Sequence, residues 1–221
     1  MNHIVVDLEM NTIGKKHPAR AIWRQEIIEI GAVLMDDNLT EIAAFRTYVK
    51  PEYSDRIHSD VEKITGITYS MVGNAPSFSE AFHMFTDWCL GTGKEFTIHA
   101  WSDSDYAQIT HEMILKEYRP SKEEELITDI PWQDFQRTID DYLGFERQIS
   151  LQKALELAGI DFNGHAHDAL DDARNTARLL SVYQDPVKIK EVLEKIREIM
   201  IPTPLGNSIG NMFDFSTLVF E

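Results

Sequence analysis

The 221-residue chain is 43% hydrophobic and 26% charged, a balance that suits one well-packed globular domain with room for a small appendage. Its 37 acidic and 21 basic residues give a formal net charge of −16, which disfavours gripping long duplex nucleic acid by phosphate neutralisation but leaves open a nucleic-acid substrate met through metal ions. Cys89 is the single cysteine, which excludes an internal disulfide and a thiolate zinc cluster.

Neither a signal peptide nor an apolar run of membrane-spanning length is read from the sequence, so a cytoplasmic protein is expected. The first apolar run, Ile4 to Met10, is rich in β-branched residues and reads as a buried strand. Strand alternation puts Asp7 and Glu9 on one face with Leu8 opposite. The strand could instead end at Val6 and leave both acids in a solvated turn. Asn11 to Arg24 reads as a loop. Ile27 to Met35 is a second strand, closed by the turn signal Asp36-Asp37-Asn38, and Ile42 to Val49 a third. So short a turn makes the strands antiparallel neighbours, so a three-strand meander carries the two acids.

Helical patterns then take over. Ile57 to Ile64 is a short helix; Ser77, three residues before Glu80, caps another with Phe78, Ala81, Phe82 and Phe85 at helical spacing. Phe96 to Trp101 is a fourth strand, followed by a helix over Ser104 to Tyr118. After Pro120 an acidic linker leads to a short strand near Ile130 to Phe135. Helices are predicted at Leu151 to Ala158, Asp168 to Tyr183 and Lys188 to Met200. In the second of these, Ala169, Ala173 and Ala177 would let the helix lie close against a sheet. The pattern implies an α/β fold with a mixed sheet. Residues 1–184 form its domain, and residues 185–221 a helix and tail packing on or extending from it.

Three acidic patches stand out: Asp7 with Glu9, Asp103 with Asp105, and the run His167-Asp168-Ala169-Leu170-Asp171-Asp172. Asp168 and Asp171 suit a helix N-terminus, an explanation that fits Asp172 less well. Positions five apart differ by about 140° on a helix, so His167 must come from the preceding loop to meet the same target as Asp172. An imidazole beside a fixed carboxylate suits proton transfer next to a metal ligand.

Asp7-Leu8-Glu9, then Asp105, then His167 with four residues before Asp172, resembles the DEDDh group of 3′-to-5′ exonucleases. That group includes RNase T and the proofreading subunit of bacterial DNA polymerase III. The stretches QEIIEIGAV from Gln25, YVKP from Tyr48, ITGIT from Ile64, WSDSD from Trp101 and HDALDDARNTA from His167 extend it. They look most like the small RNA-trimming and sporulation-inhibitor-like members. The resemblance implies an RNase H-like mixed five-stranded sheet flanked by helices. It implies two divalent cations, Mg²⁺ or Mn²⁺, bridged by Asp7. Glu9 and Asp172 would sit on the ion carrying the attacking water, Asp105 on the ion facing the leaving oxygen, and His167 would take the proton. Relatives often follow the acidic pair with Thr-Thr-Gly, whereas Met10-Asn11-Thr12 follows here. Met10 and Asn11 are therefore the expected, and altered, contacts to the 3′-terminal nucleotide.

The chemistry agrees from below. Converging carboxylates repel by about 4 kcal/mol per close pair at an effective dielectric near 20, and hard oxygen ligands select Mg²⁺ or Mn²⁺. The expected activity is release of nucleoside 5′-monophosphates from the 3′-end of single-stranded nucleic acid, RNA favoured. Two alternatives are a catalytically silent module binding nucleic-acid ends or a protein partner, and a metal phosphoesterase acting on small nucleotides. A missing acid or histidine would favour the silent module, and none is missing.

Overall fold

The computed structural model describes residues 1–143 and 148–200. The β-branched N-terminal run becomes the central strand β1 (Asn2–Thr12) of a five-stranded sheet. β2 (Gln25–Met35) pairs antiparallel with β1, and β3 (Glu41–Tyr48) antiparallel with β2. On the other side, β4 (Phe96–Ala100) runs parallel to β1 and β5 (Gln133–Asp134) parallel to β4, giving the order β3-β2-β1-β4-β5. The mixed α/β sheet is the one the meander and later strands predict. The second reading of the N-terminus, a strand ending at Val6, does not hold: Asp7 pairs with Gly31 and Glu9 with Glu29 inside the ladder.

Alternation along β1 divides two cores. Ile4, Val6 and Leu8 face α3 (Phe78–Leu90), where Phe78, Phe82, Phe85 and Cys89 are buried with them. Val5 faces the other way, onto α7 (Leu151–Ala158) and α8 (Ala169–Tyr183) through Leu155, Ala173 and Ala177. Asp7 and Glu9 share the Val5 side, so they lie under α8. Ser77 caps α3 as expected, its hydroxyl and the Glu80 carboxylate forming a reciprocal capping box.

Several expectations change. Asn11 belongs to β1 and not to a loop; it stays buried there because its amide donates to the Arg56 carbonyl and its oxygen accepts from the His58 amide. Within the expected loop, Pro18–Ala21 makes a short 3-10 turn. The first expected helix lies at α1 (Ser59–Thr65), followed by one turn, α2 (Tyr69–Val72). After β4, α4 (Asp103–Leu115) stops three residues early, before Glu117 at φ 52°. The acidic linker is a helix, α5 (Lys122–Thr128), because Ser121 and Glu124 form a second capping box. Most of the expected fifth strand is not strand; Phe135 already opens α6 (Phe135–Leu143). Pro186 starts α9 (Pro186–Met200), a position where its missing N–H leaves no bond unmade. Ile189 and Val192 of α9 are buried. The tail from 201 to 221 lies outside the described residues. Among the described residues no helix is long and apolar enough to cross a membrane.

α8 lies close against β2. A Cβ at Gly31 would sit 2.3 Å from the Ala169 carbonyl carbon and the Leu170 nitrogen, both backbone atoms that cannot swing aside. Gly31→Ala should therefore lift the start of α8, costing about 3 kcal/mol or more. That corresponds to a Tm lowered by about 6 °C or more for a chain of this size. An unchanged melting curve would show that α8 does not rest on this glycine.

Candidate active site

Strand geometry supplies the first two acids. Asp7 stands opposite Gly31 and Glu9 opposite Glu29, both beneath the start of α8. β4 stops pairing with β1 at Val6–Ala100, which leaves the Leu8 amide beyond the ladder. Asp105, in the first turn of α4, fills that gap: its Oδ1 accepts the Leu8 N–H at 3.1 Å, and the residue is 4% exposed. Asp103 lies two residues earlier and is exposed.

The third patch splits three ways. Asp168 caps α8, its Oδ1 accepting the Asp171 amide at 3.1 Å, while Oδ2 takes Arg46 at 2.7 Å. Asp171 turns back to accept the His165 amide at 2.9 Å. Only Asp172, 8% exposed, faces the β1 acids; its Oδ2 accepts the His167 amide at 3.0 Å. His167 is an exposed loop residue in the left-handed region, at φ 65°. That turn swings its ring back over the cluster, so one ring nitrogen and carboxylate oxygens of Glu9 and Asp172 lie within 4.8 Å of one another. Asp7 and Asp105 stand outside this tightest trio but interact electrostatically with each other and with Asp172.

Among the described residues, none of Asp7, Glu9, Asp105 and Asp172 forms an ion pair with lysine or arginine. Burial, then the Asp105, Asp172, Glu9 and Glu29 charges, hold the Asp7 carboxyl well above the usual carboxylate range. Burial and Asp172 push Glu9 up to about 9. Burial also raises Asp105 to about 7 and Asp172 to about 6, each partly offset by its amide bond, from Leu8 and His167 respectively. Asp172 Oδ1 is buried with no hydrogen-bond partner among the described residues. Hard oxygens, mutual repulsion and an orphaned acceptor make a donor set that fits a divalent cation.

Two expected contacts do not reach the cluster through their side chains. Met10 points to the opposite, apolar face and packs on the α3 core, and both ends of the Asn11 amide hold the 56–58 segment. A pair missed from the sequence is Glu29 and Arg46. Glu29 is fully buried and accepts Arg46 Nε at 2.7 Å and the Ala169 amide at 3.3 Å. Arg46 also holds Asp168, so the two brace α8 above the acids. The available signal was a glutamate inside an otherwise apolar strand.

The Exonuclease family model (RNase_T) matches residues 4–180, and the chain belongs to this family, whose chemistry depends on divalent metal. Human 3'-5' exoribonuclease 1 is 27% identical over 196 residues, covering 84% of this chain and 53% of the relative. The chain thus spans about half the length of that relative. The nuclease domain of 3'hExo, a DEDDh family member bound to rAMP, superposes with TM-score 0.70 at 24% identity, covering 85% of this chain and 94% of the other. A second structure, showing 3'-end recognition of histone mRNA stem-loop by 3'-exonuclease, gives TM-score 0.70 at 22% identity, over 85% and 83%. These likenesses define the RNase H-like exonuclease fold.

Carboxyls with raised folded-state pKa stabilise the protein fully only below the unfolded carboxylate range, and that stability is lost as pH rises through the folded values of about 6, 7 and 9. In chelator, Tm should fall between pH 5 and pH 9. Glu112, raised to about 7 on α4, contributes in the same direction, so Asp7→Asn isolates the cluster. That variant should melt higher than wild type at pH 8, and Mg²⁺ or Mn²⁺ should raise the wild type more than the variant. Equal responses would mean the acids do not form a metal site. Arg46→Ala, which strands Glu29, should cost about 3 kcal/mol in denaturant unfolding; a loss under about 1 kcal/mol would remove Arg46 from the bracing role.

Proposed function

We propose that this chain is a metal-dependent 3′-to-5′ exonuclease that releases nucleoside 5′-monophosphates from single-stranded nucleic acid, RNA favoured. The observation that carries this reading is the uncompensated carboxylate cluster at the end of β1, with a loop histidine turned onto it, in a chain of the Exonuclease family. The preference for RNA rests on the exoribonuclease relative. We assign the activity to residues 1–184, with 185–221 as an appendage, and we expect a cytoplasmic setting, in keeping with the single, buried Cys89.

Asp7, Glu9, Asp105 and Asp172 hold the cations, two Mg²⁺ or Mn²⁺ in our reading. When bound, they supply Lewis-acid stabilisation of charge on the phosphate and leaving oxygen, and lower the pKa of the attacking water. The chain's own residues do the rest. His167 removes a proton from the attacking water as the water oxygen bonds to phosphorus; the phosphorus–O3′ bond breaks, and the leaving 3′-oxygen is protonated from solvent. The His167 amide bond to Asp172 keeps that loop over the acids, and its exposure lets the ring pass its proton to bulk water. Asp105 ties the chemistry to the edge of β1 through Leu8.

Incubation with Mn²⁺ and 5′-labelled single-stranded RNA or DNA should produce a ladder shortening from the 3′-end, with no cutting of a circular strand. Asp7→Ala and Asp172→Asn should fall to background while remaining folded. His167→Ala should lose about 10²–10⁴-fold in rate yet keep Mn²⁺ binding. Loss of Mn²⁺ binding in His167→Ala would make the imidazole a ligand, and near-normal turnover in either acid variant would rule out the site.

A further inference from the structure

The net charge of −16 hides a local reversal. Between Met10 and Gln25 there is no acidic residue and four lysines or arginines: Lys15, Lys16, Arg20 and Arg24. This segment joins antiparallel β1 and β2, so it projects from the end of the sheet that carries the acids. Lys15, Lys16 and Arg24 are exposed, and among the described residues none of them forms an ion pair.

Two adjoining cavities of about 700 and 180 Å³ lie against this segment, sharing His17, Tyr53, Ser54 and Asp55 as a common wall. The smaller begins at Thr12, three residues past Glu9, or about 10 Å along the strand. The larger continues past Lys50 to Tyr69, which is 37% exposed. Arg56 and His58 line the smaller one. The Ser54 hydroxyl lies in the shared wall without a hydrogen-bond partner. The walls also carry two acids. Glu52 lies 3.8 Å from Lys116; Asp55 is exposed and forms no ion pair among the described residues.

We propose that this groove carries the upstream nucleotides of the single-stranded substrate. The phosphates face Lys50 and Arg56, which line the cavities, with Lys15 and Lys16 beside them on the adjoining β1–β2 segment, and bases stack on Tyr69. Exposed cations beside aromatic faces, in cavities that reach Thr12 on the strand carrying the acids, are what a sequence-tolerant single-strand track requires. The inference rests on the exonuclease reading for its direction, with the 3′-end at the acids and the rest of the strand leading away.

The test measures binding of a labelled 12-nucleotide single strand by anisotropy, in chelator so that nothing is cut, across a salt series. Lys15→Gln/Lys16→Gln should weaken binding about tenfold and flatten the log–log salt slope by about 1.4, two single-strand phosphate contacts. Tyr69→Ala should weaken it about fivefold or more. Asp55→Asn, which removes the opposing charge, should tighten it. Hydrolysis of a dinucleotide in Mn²⁺, too short to enter the groove, should be unchanged in all three. Unchanged 12-mer binding in the lysine variant, or equal competition by an acidic peptide of the same charge, would overturn the proposal. Dinucleotide hydrolysis absent from the wild type would instead count against the exonuclease reading, with the binding series still deciding the groove.

Discussion

Carboxylates held together out of water repel one another, and the end of β1 is built around that repulsion. Asp7 and Glu9 cannot turn away, because pairing with β2 fixes the strand on which they stand. Asp105 and Asp172 arrive from two different helices and are each held by a single backbone amide, which stabilises a carboxylate without cancelling its charge. The result is a corner of acids with no lysine or arginine paired to them among the described residues.

A second cluster of buried acids shows that the fold supplies a cation where the role is structural. Glu26 and Glu112 are both fully buried, yet Lys116 sits 2.8 Å from Glu112 and 3.7 Å from Glu26. Glu26 accepts the amides of Glu52 and Tyr53, and Glu112 that of Ile27, so these carboxylates pin the 52–53 loop and α4 to the sheet. The difference between the clusters lies less in burial than in the presence of Lys116. Charge that is paired within the chain holds structure; charge left unpaired on a rigid frame is available for chemistry.

Holding the unpaired acids in place falls to α8. Its alanines bring it close to the sheet, Gly31 removes the one side chain that would block its first turn, and Glu29 with Arg46 anchors that turn from below. The same turn carries Asp172 and ends the loop of His167. Backbone approach, a buried ion pair and a left-handed residue thus act on one short segment, and each sets the distance between the helix acid and the strand acids.

How much of this was legible in the sequence follows from which interactions are local. Strand alternation put Asp7 and Glu9 on one face, a helical rotation of about 140° forced His167 into the loop, and capping logic separated Asp168 and Asp171 from Asp172. Each of these depends on covalent geometry within a few residues. The Ser121–Glu124 box is equally local, but it sits in an acidic run that reads as a linker. Asn11, Glu29 and Gly31 were different. Asn11 is a strand residue because segment 56–58 satisfies its amide, Glu29 is tolerated because Arg46 and Ala169 reach it, and Gly31 matters because a helix from 138 positions later lies on it. The chain's pattern determined the sheet, the family resemblance and the set of acids. Tertiary structure alone decided which acids lack a cation and which have one, because compensation of a buried charge depends on partners far apart in sequence that folding brings within a few ångströms.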